Sequence, residues 1–465
     1  MTVSDIQKRY QDGATVRQVV AEAIERAKAD QNHAVLEVLE TAALERADEL
    51  DKLLAAGKDI GRLAGVPFVA KDNILVFGGK TTASSHMLEN FEAPYQATVI
   101  KRLESEGAIC IGKTNLDSFA HGGSTENSYF GPTKNAIDSQ RVAGGSSGGS
   151  AVAVAAGLVP FALGTDTGGS IRQPASFNGV VGLKPSYGVV SRYGVVAMAS
   201  STDVVGPITT NPADAQLVLE CMWGVDQRDS TTLAAEKTTT SPTKLRIGVI
   251  AESMAEGVDT EVLQRTKDLI NKLEKAGHAT SEVSLPTMPH ALAVYYIVTP
   301  AELSSNLARY DGIKYGNQKP GKDLQEVYEQ SRSTGFMDEN KRRILIGNYV
   351  LSSGYYDAYY EKAQTVRTVI IREFKKAFED FDILLSPTAP TPAFGLGENI
   401  DDPLKMYMAD IMTVPSSLAG LPAISLPNGT TADGLPIGVQ LIAPYRHDSV
   451  LLSVSKIVEE VIDND

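Results

Sequence analysis

The sequence predicts an α/β fold. Short, wholly apolar runs that suit buried strands alternate with helical patterns from about residue 65 to residue 220. The same strand pattern returns beyond a polar, Thr-rich stretch at 225–244. Because strands are expected on both sides of this stretch, we expect one large domain over residues 1–465, with 225–244 as a surface excursion.

The composition indicates a globular protein with a large core and an acidic charge. Of the 465 residues, 43% are hydrophobic and 22% are charged, and 57 acidic against 43 basic residues leave a net charge of −14. Direct nucleic-acid binding depends on basic patches, so we do not expect this chain to hold a nucleic acid by itself. A partner protein can still do so.

The cysteines and histidines predict neither a disulfide framework nor a metal site. Cys110 and Cys221 lie outside any CxxC, and the six histidines do not cluster with cysteines or carboxylates at ligand spacing. The N-terminus lacks an apolar run, and the longest apolar stretch, 151–163, is broken by Gly157 and Pro160. We therefore expect a cytoplasmic protein without a membrane span.

The N-terminal segment 1–60 is expected to be helical, and no chemistry is visible in it. Thr15 and Gln18 have capping-box spacing at the start of an amphipathic helix over 15–28. A second helical pattern follows at 44–54.

Two apolar runs predict buried strands. Residues 65–70 form the first and deliver Lys71 at their end, where a lysine taken alone indicates a surface position. Residues 107–114 match the P-loop pattern letter for letter, but the apolar, β-prone positions 108–111 indicate a strand instead. Later patterns predict strands at 245–250, 383–387 and 422–427 and helices at 258–276 and 341–376.

The stretch Gly144 to Pro174 contains the strongest chemical signal. Two Gly/Ser clusters flank a segment in which we expect a buried helix over 150–156 and a buried strand over 158–163. Closely spaced glycines are costly in chain entropy. They indicate exposed backbone N–H groups or unusual dihedrals around a reactive side chain.

Ser146 is the first candidate nucleophile. Residues 144–148 match the G-x-S-x-G elbow, which predicts an α/β-hydrolase esterase with a downstream histidine, and His447 is available. However, an elbow follows an apolar strand directly, and the preceding residues 135–141 are mostly polar.

Ser170 is the second candidate nucleophile, because it follows the expected strand over 158–163. A serine nucleophile also needs N–H groups that converge on one carbonyl oxygen as an oxyanion hole. The candidates are the backbone N–H groups of Thr167, Gly168, Gly169 and Ser170. From the residues alone, a purely structural glycine turn stays open.

The motifs at 144–150 and 164–174 resemble the amidase signature family. The resemblance implies a central mixed β-sheet flanked by helices on both faces, and a Ser–Ser–Lys catalytic unit without a histidine. It places the nucleophile at Ser170, the bridging serine at Ser146 and the base at Lys71. It also implies a cis peptide bond before Ser146.

The implied chemistry is consistent with the residues. Lysine acts as a base near neutral pH only when its neutral form is favoured, and burial beside Val69 and Ala70 would lower its pKa. Ser146 can accept a proton from Ser170 and donate its own to Lys71. Attack on a carboxamide then gives an oxyanion, an acyl-enzyme and ammonia, and water releases the acid.

A narrower resemblance covers nearly the whole chain. The stretches at 122–135, 352–364, 386–390 and 401–404 look like the A subunit of the tRNA-dependent amidotransferases. This resemblance implies a glutaminase that supplies ammonia to a B subunit, in a heterotrimer whose small C subunit stabilises the pair. The B subunit would hold the tRNA and use ATP and Mg²⁺ to activate Glu-tRNA(Gln), and often Asp-tRNA(Asn). No cofactor is implied for this chain.

Glutamine is zwitterionic, so its site needs one cation and one anion. By family position, Arg343 would pair with the α-carboxylate and Asp410 with the α-ammonium. The sequence alone does not choose between Arg342 and Arg343, and it indicates a solvated helix face for 341–343 and a surface carboxylate for Asp410.

The chain departs from the family at two positions near the expected pocket mouth. His121 stands where a bulky apolar residue is usual, and Ser118 where an acidic one is usual. Two other functions stay open besides the esterase. They are a stand-alone amidase that uses the same triad on another carboxamide, and a non-enzymatic scaffold.

Overall fold

The computed structural model describes residues 1–234 and 244–463, so positions 235–243 of the expected excursion lie outside it. Its helices are α1 (Val3–Gln11), α2 (Val16–Lys28), α3 (Glu40–Ala55), α4 (Thr98–Ser105), α5 (Gly148–Ala155), α6 (Arg172–Asn178), α7 (Pro212–Met222), α8 (Thr260–Lys275), α9 (Ala291–Asn306), α10 (Leu324–Gly335), α11 (Asp338–Val350), α12 (Lys362–Asp380), α13 (Pro403–Met408), α14 (Val414–Leu418) and α15 (Asp448–Asp463). Its strands are β1 (Val35–Val38), β2 (Pro67–Lys71), β3 (Ile109–Thr114), β4 (Phe161–Asp166), β5 (Val181–Lys184), β6 (Val204–Thr209), β7 (Arg246–Ile250), β8 (Ala279–Val283), β9 (Ile383–Pro387), β10 (Ala423–Thr430) and β11 (Pro436–Ile442).

The strands of the described residues form one mixed sheet. Their order is β1-β3-β2-β4-β6-β5-β10-β11-β9-β7-β8. Strand β2 pairs in parallel with both β3 and β4, and β7 pairs in parallel with β8 and β9, whereas the connecting pairs through β6, β5, β10 and β11 are antiparallel. The expected mixed sheet is confirmed.

Helices cover both faces of this sheet, as alternate side chains of β2 show. Phe68 and Ala70 pack in one apolar cluster with residues of α4, α7, α8 and α15. Val69 points to the opposite face and packs with residues of α2, α3 and α5. Because successive strand residues face opposite sides, each side of β2 is sealed by its own helical layer.

Most expected elements lie where the sequence indicated. Thr15 caps α2 with the reciprocal capping box, and the apolar run at 65–70 becomes β2 with Lys71 as its last residue. The P-loop-like octet is mostly strand β3, and its Lys113 forms a buried ion pair of 2.9 Å with Asp72. The interpretation of this octet as a strand is therefore confirmed.

Three elements differ from expectation. The segment 1–60 is not wholly helical, because 35–38 form β1, which extends the sheet edge beside β3. Strand β4 begins at Phe161 rather than at 158, since the Leu158 N–H still bonds to the Ala153 carbonyl at the end of α5. The helical pattern at 341–376 is broken between α11 and α12, where Gly354 has φ +87°.

Residues 225–234, the described part of the expected surface excursion, are anchored to the rest of the domain by two buried side chains. Residues 225–234 lie at the surface, but the Asp226 and Asp229 side chains are buried beneath them. Ser191 Oγ donates to Asp226 Oδ2 over 2.8 Å. Its described part is therefore a surface segment with two anchoring carboxylates.

The sheet brings the two chemical stretches together. Ala70 of β2 lies opposite Leu163 of β4 in parallel register. The carboxyl ends of parallel neighbours meet at one edge of a sheet, so Lys71 and the loop 167–171 that follows β4 lie at the same edge.

Candidate active site

Lys71 is fully buried and surrounded by hydroxyl groups. Its Nζ lies 2.8 Å from Ser146 Oγ, 2.9 Å from Ser147 Oγ and 2.9 Å from Thr165 Oγ1. Ser147 is in turn fixed, because its hydroxyl donates to the Thr165 carbonyl over 3.1 Å. The structure thus brings together the candidate base and one candidate serine, and adds two hydroxyls that the sequence analysis did not single out.

Burial lowers the pKa of Lys71 to about 7, because removal from water disfavours the ammonium form. The carboxylates of Asp117, Asp166 and Asp203 oppose this shift. Burial also raises the pKa values of Asp117 and Asp203 to about 6, so both carboxylates are still mostly ionised at pH 7, and the Lys71 pKa of about 7 already includes their effect. A substantial neutral fraction of this lysine is therefore available at pH 7.

Ser146 sits in a tightly enclosed backbone turn, and the peptide bond before it is cis, as expected. A Cβ at Gly145 would lie 2.7 Å from the Ser124 nitrogen, and one at Gly144 would lie 2.7 Å from Pro174 Cα. Gln173 fixes the turn by accepting the Gly145 N–H over 2.9 Å. The glycines of the first cluster are thus required by close backbone approach.

The second cluster forms the loop 167–171, which carries Ser170. Among the described residues, no protein group accepts a hydrogen bond from the backbone N–H groups of 167–170. The loop is nevertheless held in place: Thr413 Oγ1 donates to the Gly168 carbonyl over 2.6 Å, and the Ser147 N–H donates to the Ser170 carbonyl over 3.0 Å. Fixed donors without partners are what an anion-binding loop requires.

A buried ion pair joins Asp166 and Arg172, the residues on either side of the loop 167–171. Arg172 Nε and Nη2 reach the Asp166 carboxylate at 2.9 Å each, and the carboxylate also accepts the Ile171 N–H. Arg172 Nη1 donates to the Thr413 carbonyl over 3.0 Å. The loop is therefore fastened to the segment that also carries Asp410.

Asp410 lies beside the loop with an unsatisfied oxygen. A Cβ at Gly169, where φ is +153°, would lie 3.0 Å from Asp410 Oδ1. That buried oxygen has no hydrogen-bond partner in the described part of the chain. Burial and the nearby Asp166 charge raise the pKa of Asp410 to about 8. A cationic ligand placed here would favour the ionised carboxylate.

Arg343 is the inward-facing arginine of α11. Its guanidinium lies over the rings of Tyr296 and Tyr407 at 5.0 and 5.5 Å, and its Nε donates to Glu339 Oε1 over 2.7 Å. Only 4% of the Arg343 side chain is exposed, against 46% for Arg342. The structure places a fixed cation at Arg343, while Arg342 stays at the surface.

A cavity of about 360 Å³ lies at Arg343. Tyr407 and the loop 121–124 also line it. A Cβ at Gly123 would lie 3.7 Å from Asp410 Oδ2, so this carboxylate lies beside the lining. The cavity suits a small zwitterion.

The family model for amidases matches residues 18–452 of this sequence. The chain belongs to the amidase family. Relatives named as the A subunit of glutamyl-tRNA(Gln) amidotransferase include one from Prochlorococcus marinus (strain MIT 9303), 54% identical over 91% of this chain and 89% of the relative. Another, from Synechococcus sp. (strain CC9311), is 50% identical over 100% of this chain and 97% of its own.

Solved structures share the same amidase fold. The crystal structure of the A subunit of glutamyl-tRNA(Gln) amidotransferase from Thermotoga maritima has 39% identity and a TM-score of 0.82, covering 99% of this chain and 94% of that one. A bacterial aryl acylamidase of the amidase signature family has 25% identity and a TM-score of 0.86, covering 99% and 96%. The expected amidase signature fold is thus confirmed, and the fold alone does not separate the two activities.

The esterase alternative does not fit the structure. His447 is exposed, its Nδ1 lies 3.1 Å from the Tyr445 carbonyl, and Ser146 is bonded to Lys71 instead. His447 borders a separate apolar cavity with residues of α12.

Sequence reasoning missed several groups around the site. Ser147 was recognisable as the second serine of the first cluster, and Thr165 as the hydroxyl at the end of a buried strand. Asp117, which accepts the Thr125 N–H over 2.9 Å and supports the loop beside Ser146, had no local signal.

The described ranges, 1–234 and 244–463, contain neither a metal-ligand cluster nor a membrane-spanning helix. No cluster of His, Cys, Asp and Glu in them is suited to hold a metal ion. Within the same ranges, every helix is too short or too polar to cross a membrane.

Proposed function

We propose that this chain is the glutaminase subunit of a tRNA-dependent amidotransferase, in which Lys71, Ser146 and Ser170 release ammonia from glutamine. The observation that carries the chemistry is the buried Lys71, bonded to Ser146 and enclosed by hydroxyls at the same sheet edge as a loop with unpaired N–H groups. The relatives at 50–54% identity, named as the A subunit of glutamyl-tRNA(Gln) amidotransferase, support the substrate and the assembly.

The hydrogen bonds around Lys71 support a direction for the proton. A neutral amine has two N–H groups and one lone pair. The Ser147 hydroxyl donates to the Thr165 carbonyl, so its oxygen can only accept a hydrogen bond from Lys71. Thr165 Oγ1 accepts the second N–H of the amine. The lone pair is left for the hydroxyl of Ser146, 2.8 Å away. Lys71 then acts as a base toward Ser146.

Ser146 relays this basicity to Ser170. Ser146 takes the proton of Ser170 as it gives its own to Lys71, and Ser170 Oγ attacks the carboxamide carbon of glutamine. The N–H groups of Thr167, Gly168, Gly169 and Ser170 are the donors for the oxyanion, and loss of one such donor typically costs about 2.7–4 kcal/mol of transition-state stabilisation. The proton on Lys71 returns through Ser146 to the leaving ammonia. Water then attacks the γ-glutamyl ester by the same route and gives glutamate.

The charged groups in and next to the cavity suit the head group of glutamine, because Arg343 lines the cavity and Asp410 lies beside Gly123 of its lining. Arg343 binds the α-carboxylate, and Asp410 binds the α-ammonium. Burial raises the pKa of Asp410 to about 8, and an ammonium beside it would stabilise the carboxylate and lower this pKa. Asp410 also lies beside Gly169, so a head group bound to it is held next to the loop that carries Ser170.

The remaining steps belong to the two partners of the heterotrimer. The B subunit holds the tRNA and activates its carboxylate with ATP and Mg²⁺, and the small C subunit stabilises the pair. This chain needs no cofactor for glutamine hydrolysis. Its net charge of −14 agrees with leaving tRNA to a partner, and we propose that it works in the cytoplasm.

Ammonia release from glutamine by the full chain, purified from its source with any partners it retains, tests the proposal. Ser170→Ala should abolish the release, and the matched surface control His447→Ala should leave it unchanged. Activity that survives in Ser170→Ala would contradict the assignment of the nucleophile.

The same purification separates the two amidase functions. Two co-purified partner proteins and a preference for glutamine support the amidotransferase. Absence of both partners, with aryl amides turned over faster than glutamine, would instead establish a stand-alone amidase.

A further inference from the structure

His121 is buried in the wall of the cavity and bonded to a helix far away in sequence. None of its surface is exposed, and its Nδ1 lies 2.7 Å from Asn340 Nδ2 of α11. The two residues before it, Phe119 and Ala120, have φ values of +52° and +64°, which non-glycine residues seldom adopt. The backbone is therefore held in an uncommon conformation that delivers this imidazole.

The neighbours of Asn340 define the orientation of its amide. The Met337 N–H donates to Oδ1 over 3.1 Å, so this atom must be an acceptor. The Ser118 carbonyl accepts from Nδ2 over 2.8 Å, so this atom must be a donor. Both partners are backbone groups with a fixed role, and a flipped amide would lose both bonds.

This orientation defines the tautomer of His121. Since Asn340 Nδ2 is a donor, His121 Nδ1 accepts, and the ring proton is on Nε2. Burial, and then the charge of Arg343, hold the pKa of His121 well below its ordinary value, so the ring is neutral. The cavity wall thus contains a neutral N–H donor.

That donor has no partner in the part of the chain that the structure describes. Nε2 of His121 is buried and makes no hydrogen bond to any described residue. His121 lines the cavity together with Arg343. A buried polar group without a partner is rare, because it loses its bond to water and gains none in return.

We propose that His121 is a substrate-binding residue that donates from Nε2 to the α-carboxylate of glutamine, beside Arg343. This inference rests on the proposed function and adds a second donor to the carboxylate end of the site. A neutral imidazole N–H next to a guanidinium offers only donors, so it suits an anion and not the α-ammonium. Asp410, an acceptor, takes the ammonium beside Gly123.

The first test reads the ring directly. Histidine nitrogens are isotopically labelled in the Ser170→Ala chain, and His121→Gln identifies the His121 signals by their loss. We expect a protonated Nε2 and an unprotonated Nδ1, and a shift of the Nε2 signal when glutamine is added. A proton on Nδ1, or signals that glutamine leaves unchanged, would overturn the proposal.

The second test uses matched variants and matched substrates. His121→Met removes the donor at similar volume, whereas His121→Gln keeps an N–H near the position of Nε2. A lost hydrogen bond to a charged group typically weakens binding by a factor of about 10 to 100. We expect His121→Met to raise KM for glutamine by such a factor with kcat nearly unchanged, and His121→Gln to restore most of the loss.

The substrate 4-aminobutanamide is glutamine without its α-carboxylate. Its KM should be equal in wild type and His121→Met, because the group that His121 contacts is missing. An equal rise in KM for both substrates would show a merely structural role and overturn the proposal. If wild type releases no ammonia from glutamine, the proposed function fails instead, so the two failures are distinguishable.

Discussion

Replacing Thr165 by valine should move the pH dependence of the reaction while leaving the triad in place. Thr165 Oγ1 is one of three hydroxyl oxygens within 2.9 Å of Lys71 Nζ. The lysine ammonium form needs all three acceptors, whereas the neutral form needs only two. Valine is nearly isosteric with threonine, but it removes the acceptor of both Lys71 and the Asn73 amide, which donates to Thr165 Oγ1 over 3.0 Å. Only the bond to Lys71 depends directly on the protonation state of the lysine, so this bond sets the shift.

The size of the shift follows from the two protonation states. Loss of the bond costs the ammonium form about 1.5–3 kcal/mol, as a bond to a charged group, and costs the neutral form about 0.5–1.5 kcal/mol. The difference is about 1 kcal/mol, which lowers the pKa of Lys71 by about 0.7 units. The lysine starts from a pKa of about 7. Its neutral, active form should therefore persist to lower pH.

The assay is kcat for ammonia release, measured at saturating glutamine across pH 5 to 9. Saturation matters because Asp410 has a raised pKa of about 8, so it would otherwise titrate in the same range, whereas the ammonium of bound glutamine should keep it ionised. The fall of kcat toward low pH, which is the acid limb of the profile, then follows the protonation of Lys71 and gives its pKa. Thr165→Ser retains the hydroxyl and should keep the wild-type limb. A limb that is unchanged or raised in Thr165→Val would refute the assignment of Lys71 as the base.

Three further changes have defined outcomes. The pKa of Lys71, about 7, is below the value near 10.4 of an unfolded lysine, so the unfolded chain binds more protons between these limits and stability rises with pH there. The free energy of unfolding, measured with urea at pH 7 and 9.5, should therefore rise less in Lys71→Met than in wild type. A part of the rise should remain, because the pKa of Lys184 is also lowered to about 7. An identical rise in both chains would contradict the lowered pKa of Lys71. Arg343→Lys keeps the charge but loses the stacking on two tyrosines. Steady-state kinetics should show KM for glutamine raised about ten-fold or more with kcat retained. An unchanged KM would contradict the assignment of Arg343 as a glutamine-binding residue. Gly169→Ala places a Cβ 3.0 Å from Asp410 Oδ1 and against Thr413 at φ +153°, so kcat for ammonia release should fall about a hundred-fold or more through the displaced N–H donors, and near-normal kcat would argue against this oxyanion hole.

The fold was predictable where the signal is local. The apolar run before Lys71 and the Gly/Ser clusters each specify their own backbone, because strand burial and close backbone approach act within a few residues. The interruption between α11 and α12 was missed, since it is a short turn around Gly354 inside a strongly helical composition. Strand β1 was missed because it is short and half-buried, and its pairing with β3 is a long-range contact.

The site was predictable only in part, for the same reason. Arg343 and Arg342 are neighbours in sequence, and only the packing of α11 against Tyr296 and Tyr407 buries one of them. The bond between His121 and Asn340 joins residues 219 positions apart. No local pattern encodes such a pair, so the tautomer of His121 could be obtained only from the structure.

The most direct test of the account is the identity of the acylated residue. The full chain is mixed with glutamine, quenched in acid during turnover, digested and analysed by mass spectrometry. We expect a γ-glutamyl ester on the peptide that carries Ser170, absent from the Ser170→Ala chain. A γ-glutamyl group on Ser146 or elsewhere, or ammonia release without any modified peptide at Ser170, would contradict the central claim.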